Sequence, residues 1–359
     1  MDYEFIASIY EAAAIPDLWK GRGLLDQLAL RSHCKDGVLM GMPPGGELRW
    51  IGNDSAVPKM EVYVSENWIA RNPYLLNEER VRKFSEPRFL MDTEVMSVEE
   101  MMESDYYQGF MRRYGCFWHT GTSISSPSGD IIKLSVHRSF EEGPLPSEVT
   151  GRLTELRPHL ARAALLASRL KFEQIKSTVD ALESLGIWAG ALRNGKLIVA
   201  NSGFSRLIPE VIRDSRHRLV FAQRTTEARW QALIEGGVVK LGGSFPIAAD
   251  EQHPAMVVHA LPIAGEAHDI FAAADLLLVI TPAIREAKVD DGLLAGLFDL
   301  TPAEASVARE IGLGQSVEVV AKARNVSVGT VRAQLHTVFE KTGTSGQIDL
   351  ARLVVGLGK

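Results

Sequence analysis

Residues 147–183 carry the pattern that most narrows the fold. Val149, Leu153, Leu156, Leu160, Ala163, Ala167 and Leu170 recur at alternating steps of four and three. That spacing predicts one long helix with an a/d seam over about three heptads. Such a seam either lies on its own domain or pairs with a second copy in parallel. Pro158 inside it predicts a kink, because its ring removes a hydrogen bond one turn back. The helix also divides the chain. With 359 residues, two or three domains are expected.

Composition sets the class. Hydrophobic residues at 46% and charged residues at 23% allow several buried cores and exclude a disordered chain. No apolar run approaches the ~18–20 residues of a membrane span. The start, MDYEFIASIY, has two acids in its first four residues and no basic n-region, so no secretory signal is expected. The two cysteines, Cys34 and Cys116, fit neither a disulfide framework nor a cysteine-based zinc module, and a reducing cytoplasm is the expected compartment. A net charge of −6 argues against a globally basic nucleic-acid binder, while leaving room for one small DNA-reading module.

The segment before the long helix mixes periods. Val38 to Met40 reads as a strand, Pro43-Pro44-Gly45-Gly46 as a turn and Glu47 to Ile51 as the return strand. Helices are expected over about 58–69 and 97–113. Trp118 to Ser125 and Asp130 to His137 flank Pro127-Ser128-Gly129 as a second hairpin. An antiparallel sheet covered by helices is the simplest assembly. After the long helix, Gly186 to Leu192 and Leu197 to Ala200 flank Asn194-Gly195, the strongest short hairpin signal in the chain. Asn201-Ser202 opens a short helix. A helix near 225–235 and strands near 243–248, 254–262 and 275–281 follow.

The strand, strand, helices, three-strand order, with Ala200-Asn201 after the second strand, resembles a PAS domain over about 105 residues. The first segment resembles a GAF-type or autoinducer-binding-type sensor, with Tyr63, Trp68 and Asn72-Pro73 similar to the aromatic pocket of autoinducer receptors. Those receptors use an acid at the position of Asn72. The first segment is rich in aromatics (Trp50, Tyr63, Trp68, Tyr74, Tyr106, Tyr107 and Trp118), which either pack a core or line a pocket for a small, partly apolar ligand.

Residues 299–355 read as compact helices with short turns. Thr301-Pro302-Ala303-Glu304 is a helix start with a hydroxyl cap, proline at the first helical position and an acid in the first turn. Gly312 and Gly314 end that helix. Ser316 caps a second helix that buries Val320, and Ser327 caps a third. There Val331, Leu335, Val338 and Phe339 form one apolar stripe. At about 100° per residue, Gly329, Arg332, Ala333, His336 and Glu340 fall on the opposite face, flanked by Thr330, Gln334 and Lys341. This is the helix-turn-helix plan: small side chains let the backbone approach the groove floor, arginine pairs with guanine, and polar flanks hold phosphates.

Leu300 to Glu304, Gly314-Gln315-Ser316, Val320-Ala321, Val326-Ser327, Thr330-Val331-Arg332 and Lys341 to Thr344 together resemble the LuxR-type DNA-binding domain over about 55 residues. Val317-Glu318-Val319 and Gly346 depart from that pattern. The resemblance implies that the third helix enters the major groove and that a fourth, about 346–355, dimerises. It implies that Arg332, Ala333 and His336 face bases, and that Thr330, Gln334 and Lys341 lie near phosphates, with Ser327 at the helix start.

The chain is thus expected to be multidomain α+β. A GAF-like sensor (1–146) and a PAS-like domain (178–285) would be joined by the long helix (147–183), with an all-α four-helix helix-turn-helix domain (292–359) after them. The expected function is a sequence-specific regulator of transcription. It would be a homodimer on a two-half-site duplex, modulated by a small ligand through Trp50, Tyr63, Trp68, Asn72, Tyr74 and Trp118, with no membrane partner. Two rivals are a ligand-free regulator controlled by protein contacts and an enzyme domain fused to a DNA reader. No catalytic motif, phosphate loop or metal-ligand spacing is found; His119 near Cys116 lacks a second ligand pair and reads as structural. No cofactor is expected.

Overall fold

The computed structural model describes residues 2–42, 48–125, 130–215, 218–235, 242–263, 270–271, 273–283 and 289–357. The expected turns at Pro43 to Gly46 and Pro127 to Gly129 lie outside them. By contact density the chain forms two units. One comprises 1–181, 189–243 and 260–279, the other 182–188, 244–259 and 280–359.

The first unit opens with α1 (Tyr3–Ala14), capped by Asp2, and α2 (Leu24–Arg31). Strand β1 (Asp36–Met42) and β2 (Arg49–Gly52) follow, then α3 (Val57–Ser65), α4 (Glu78–Phe84), β3 (Leu90–Met91) and α5 (Val98–Glu103). Strands β4 (Trp118–Ser125) and β5 (Ile131–Arg138) lead into the 38-residue α6 (Ser147–Ser184). The sheet order is β2-β1-β5-β4-β3, antiparallel throughout.

Two expected helices end early. The 58–69 helix stops at Ser65, where Asn67 takes a left-handed φ of 54°, and Trp68–Arg71 forms a separate 3-10 turn. The 97–113 helix breaks at Ser104, whose backbone is extended, and resumes as a π-helical turn over Tyr106–Met111. The wider π turn sends Tyr106, Tyr107, Phe110 and Met111 all inward.

Alternation along the strands makes two cores, one on each face of the sheet. Leu39, Ile132, Leu134 and Val136 pack under α1, α2 and α6. Val38, Met40, Trp50 and Trp118 pack under α3 and α5 with the π turn. The helical seam belongs to the first core: Val149, Leu153, Leu160, Ala163 and Ala167 are buried there, and Leu156 is partly so. Of the two readings of the seam, these residues take the intramolecular one; Leu170 stays exposed. Pro158 sits inside the continuous helix.

Strands β6 (Trp188–Arg193) and β7 (Lys196–Ala200) form the expected hairpin. Its two turn residues, Asn194 and Gly195, have φ of 51° and 75°, which the first position tolerates because it is Asn. Asn201 caps α7 (Ser202–Ser205), accepting from Phe204 N, while its Oδ1 also takes Ala189 N. Then come β8 (Ile212–Asp214), β9 (Leu219–Phe221), α8 (Arg224–Glu235), β10 (Gly243–Ile247), β11 (Met256–Pro262) and β12 (Leu276–Pro282). The second sheet runs β10-β11-β12-β6-β7. Numbered within each sheet, both have the order 2-1-5-4-3. Within the first unit, Ile270 and Phe271 join the core beneath α1 and α6, with Phe271 5.4 Å from Trp19.

The C-terminal part holds α9 (Asp291–Phe298), α10 (Pro302–Gly312), α11 (Val317–Arg324), α12 (Val328–Thr342) and α13 (Gln347–Leu357). Among the described residues, no helix is long and apolar enough to cross a membrane.

Candidate functional site

Two regions bring chemistry-bearing side chains together. The first is the C-terminal helical module. The capping box expected at Thr301 is present: Thr301 Oγ1 accepts from Glu304 N at 3.3 Å, and Glu304 returns a carboxylate oxygen to Thr301 N at 2.8 Å. Ser316 and Ser327 cap α11 and α12 by accepting from Val319 N and Thr330 N, without the return bond from a third-position carboxylate. Asn325, at φ 55°, turns the chain between them. Val331, Leu335 and Val338 are buried with Val320, Ala321 and Ile311, and Phe339 is partly buried. A side chain on Gly312 would meet Val354 at 2.5 Å, so glycine is what lets α10 and α13 touch.

This packing leaves Gly329, Thr330, Arg332, Ala333 and His336 exposed on one side of α12, with Ser327 exposed at its start and Gln334 half-buried. The face is not electrostatically bare. Arg332 lies 3.7 Å from Glu318 of α11, and His336 Nδ1 3.5 Å from Glu340. Ser316, Glu318, Arg332, His336 and Gln347 line a cleft of about 400 Å³. Lys341 differs from its neighbours. Its amine donates to Glu304 at 2.8 Å and to the Asp299 carbonyl at 2.9 Å, so it fastens α12 to the start of α10. That contact holds the Glu304 carboxyl below its usual range.

The second region is a pair of adjoining cavities, of about 50 and 30 Å³, under the aromatic face of the first sheet. Tyr63, Asn72 and Tyr74 of the sequence-based set line them. Trp50, Trp68 and Trp118 do not; they are buried in the surrounding core. Asn72 organises its neighbours: its Nδ2 donates to Tyr63 OH at 3.0 Å and Tyr106 OH at 3.4 Å, and its Oδ1 accepts from Tyr74 N.

Sequence reasoning missed the polar side of β5. Lys133, Ser135 and His137 alternate with Ile132, Leu134 and Val136, a pattern that ordinarily marks a half-solvated strand. Here the polar set faces the cavities. Lys133 stands opposite Met40 of β1 and Ser123 of β4, and His137 opposite Asp36 and His119. Asp36 is ion-paired to Lys59 and accepts from Ser55 Oγ at 2.6 Å. Burial pushes the Lys133 amine down to about 8 and His137 to about 4. Burial, with His137 and Lys133 nearby, keeps His119 well below the usual histidine value. Asp92, fully buried, accepts from Tyr107 OH at 3.2 Å and His119 N at 2.8 Å, and burial lifts its carboxyl to about 7. His119 Nδ1 and Ser135 Oγ are buried without a hydrogen-bond partner. Among the described residues, no cluster of three or more metal-ligating side chains occurs.

No protein-family model matches the chain, and no curated protein sequence matches it. Solved structures similar to it include LuxR-family regulators. One is the N-acylhomoserine lactone-dependent factor CepR2 from Burkholderia cenocepacia, at 14% identity and TM-score 0.33, covering 46% of this chain and 93% of that one. A second is Escherichia coli SdiA, at 12% identity and TM-score 0.34, covering 99% and 98%. A third is VqmA of Vibrio cholerae in a complex with ligand and DNA, at 17% identity and TM-score 0.23, covering 49% and 89%. These values are too low to carry a function from any of those proteins to this chain.

Proposed function

We propose that the chain is a LuxR-type transcription regulator that reads double-stranded DNA through α12 and responds to a small molecule through its first sensor segment. The observation that carries the DNA-reading half is the division of α12. One side is sunk into a core built by α9 to α13, one helix more than the four expected, and the other presents Arg332, Ala333 and His336 to solvent across a short turn from α11. On this reading Arg332 and His336 meet base edges, and Ala333 lets the helix approach. Ser327, Thr330 and Gln334 meet phosphates. Lys341 reaches a phosphate only by releasing Glu304. Residues 292–359 carry seven Lys and Arg against six Asp and Glu, so few phosphates are neutralised and a single module binds weakly. A homodimer on two half-sites supplies the missing affinity. The first sensor segment reads as GAF-like or autoinducer-like and the second as PAS-like, and their shared strand order suits two sensors of related plan.

The ligand-responsive half rests on the paired cavities, their aromatic walls and the partnerless polar atoms in them. The test of the DNA-reading half is an anisotropy titration of a selected duplex. Arg332→Ala should lose roughly 1–3 kcal/mol of specific binding if the guanidinium reads a guanine. Unchanged affinity rejects that role.

A further inference from the structure

We infer that the small molecule held in the first sensor segment carries a carboxylate, with Lys133 as its counter-ion and Ser135 and His119 as its hydrogen-bond partners. The inference rests on the reading of these cavities as a ligand site and goes on to its chemistry. Lys133 is half-buried beside the smaller cavity, and a cation held partly out of water is stabilised by an opposite charge within reach. Lys133 exchanges no hydrogen bond or ion pair with any described residue. The nearby acids are already engaged: Asp36 with Lys59 and Ser55, and Asp92 with Tyr107 and the His119 and Thr93 amides. Arg157, which donates to Thr122 and the Ser123 carbonyl, is itself a cation and offers Lys133 no counter-charge.

The remaining polar atoms point the same way. Ser135 Oγ and His119 Nδ1 lack partners, and both residues line the smaller cavity together with Lys133. A lysine ammonium and a serine hydroxyl donate, and so does His119 Nδ1 in the tautomer that carries its proton there. A carboxylate accepts from all three and also cancels one positive charge. The other walls set the rest of the molecule. Met40, Tyr74 and Phe84 surround the donors, and Val38, Met60, Phe110 and Met111 line the adjoining space. These walls favour a small apolar group beside the carboxylate. A neutral carbonyl compound would leave the lysine charge uncompensated.

The experiment titrates the 359-residue chain with butyrate, hexanoate and benzoate, and with butanamide, hexanamide and benzamide. Thermal midpoint and tryptophan emission are the readouts. At least one acid is expected to bind, with its amide at least tenfold weaker. Lys133→Met should weaken the acid tenfold or more and leave the amide unchanged. Ser135→Ala, a smaller perturbation, should weaken the acid several-fold. Amides binding as tightly as acids, or acids binding Lys133→Met as tightly as the unmodified chain, overturn the carboxylate assignment and leave the ligand site standing. Binding of no acid and no amide overturns both. DNA binding, scored separately, is untouched by any of these outcomes.

Discussion

Replacing Lys133 by methionine should stabilise the empty protein, an unusual sign for a change in a buried strand. The lysine is held at about 8 against an ordinary 10.5 because partial burial penalises its charge and no described residue supplies a counter-charge. A folded-state value below the unfolded one means that the unfolded chain binds the proton more tightly. The charged amine therefore destabilises the fold fully below about pH 8, and the penalty fades between 8 and 10.5. At 1.36 kcal/mol per pH unit, a shift of this size corresponds to about 3 kcal/mol at neutral pH. Methionine keeps the length and flexibility of the side chain and removes the charge. At about 2–4 °C per kcal/mol, the expected gain in melting temperature at pH 7 is on the order of 10 °C. Scanning fluorimetry of both proteins from pH 6 to 10.5 measures it. Tyr74 and His119, the other titratable groups around the lysine cavity, are common to both proteins and cancel in the comparison, as do Asp36, Lys59, His137 and Arg157 nearby. A gain at pH 7 that disappears by pH 10.5 is the expected result. A Lys133→Met protein that is equally or less stable at pH 7 refutes the argument.

Three further outcomes follow from particular contacts. Asp92, lifted to about 7 by burial, should make the segment before α6 lose stability as pH rises from about 4 to 7; Asp92→Asn should flatten thermal melts over that window. Gly312→Ala sets a methyl group against Val354 and should destabilise the helical module by roughly 1–3 kcal/mol, seen as faster amide exchange in α10 and α13. Thr301→Ala removes one half of the capping box at the start of α10 and should cost about 1 kcal/mol in urea unfolding of the same module.

The legible parts of this fold are those fixed by local periodicity. The Asn194-Gly195 hairpin, the three serine and threonine caps and the apolar stripe of α12 each depend on residues within one or two turns of each other. The long helix was equally plain, but its seam was not. A step of four and three says that Val149, Leu153, Leu160, Ala163 and Ala167 are covered, and is silent on whether the cover is a second chain or the sheet of the same one. It is the sheet. The cavity was hidden for a related reason. Alternation along β5 separates two faces without saying which is wet, and the face bearing Lys133, Ser135 and His137 is enclosed by helices far away in sequence. Aromatic enrichment of the first segment leaves Trp50, Trp68 and Trp118 open to core packing or pocket lining, and these three lie in the core around the cavities. The π turn at Tyr106–Met111 has no signature in a 3.6-residue pattern, so the stretch read as one regular helix. On the exposed side of α12, the Glu318 carboxylate beside Arg332 and the tether of Lys341 to Glu304 depend on how α11, α10 and α12 cross, which spacing within one helix does not specify.

Selection of duplexes from a random pool by the 359-residue chain is the most direct test of the central claim. The account predicts enrichment of a two-fold symmetric sequence, with half-sites about one helical turn apart, that the Arg332→Ala chain fails to enrich. A pool that stays random after repeated rounds, or that Arg332→Ala enriches to the same sequence, contradicts it.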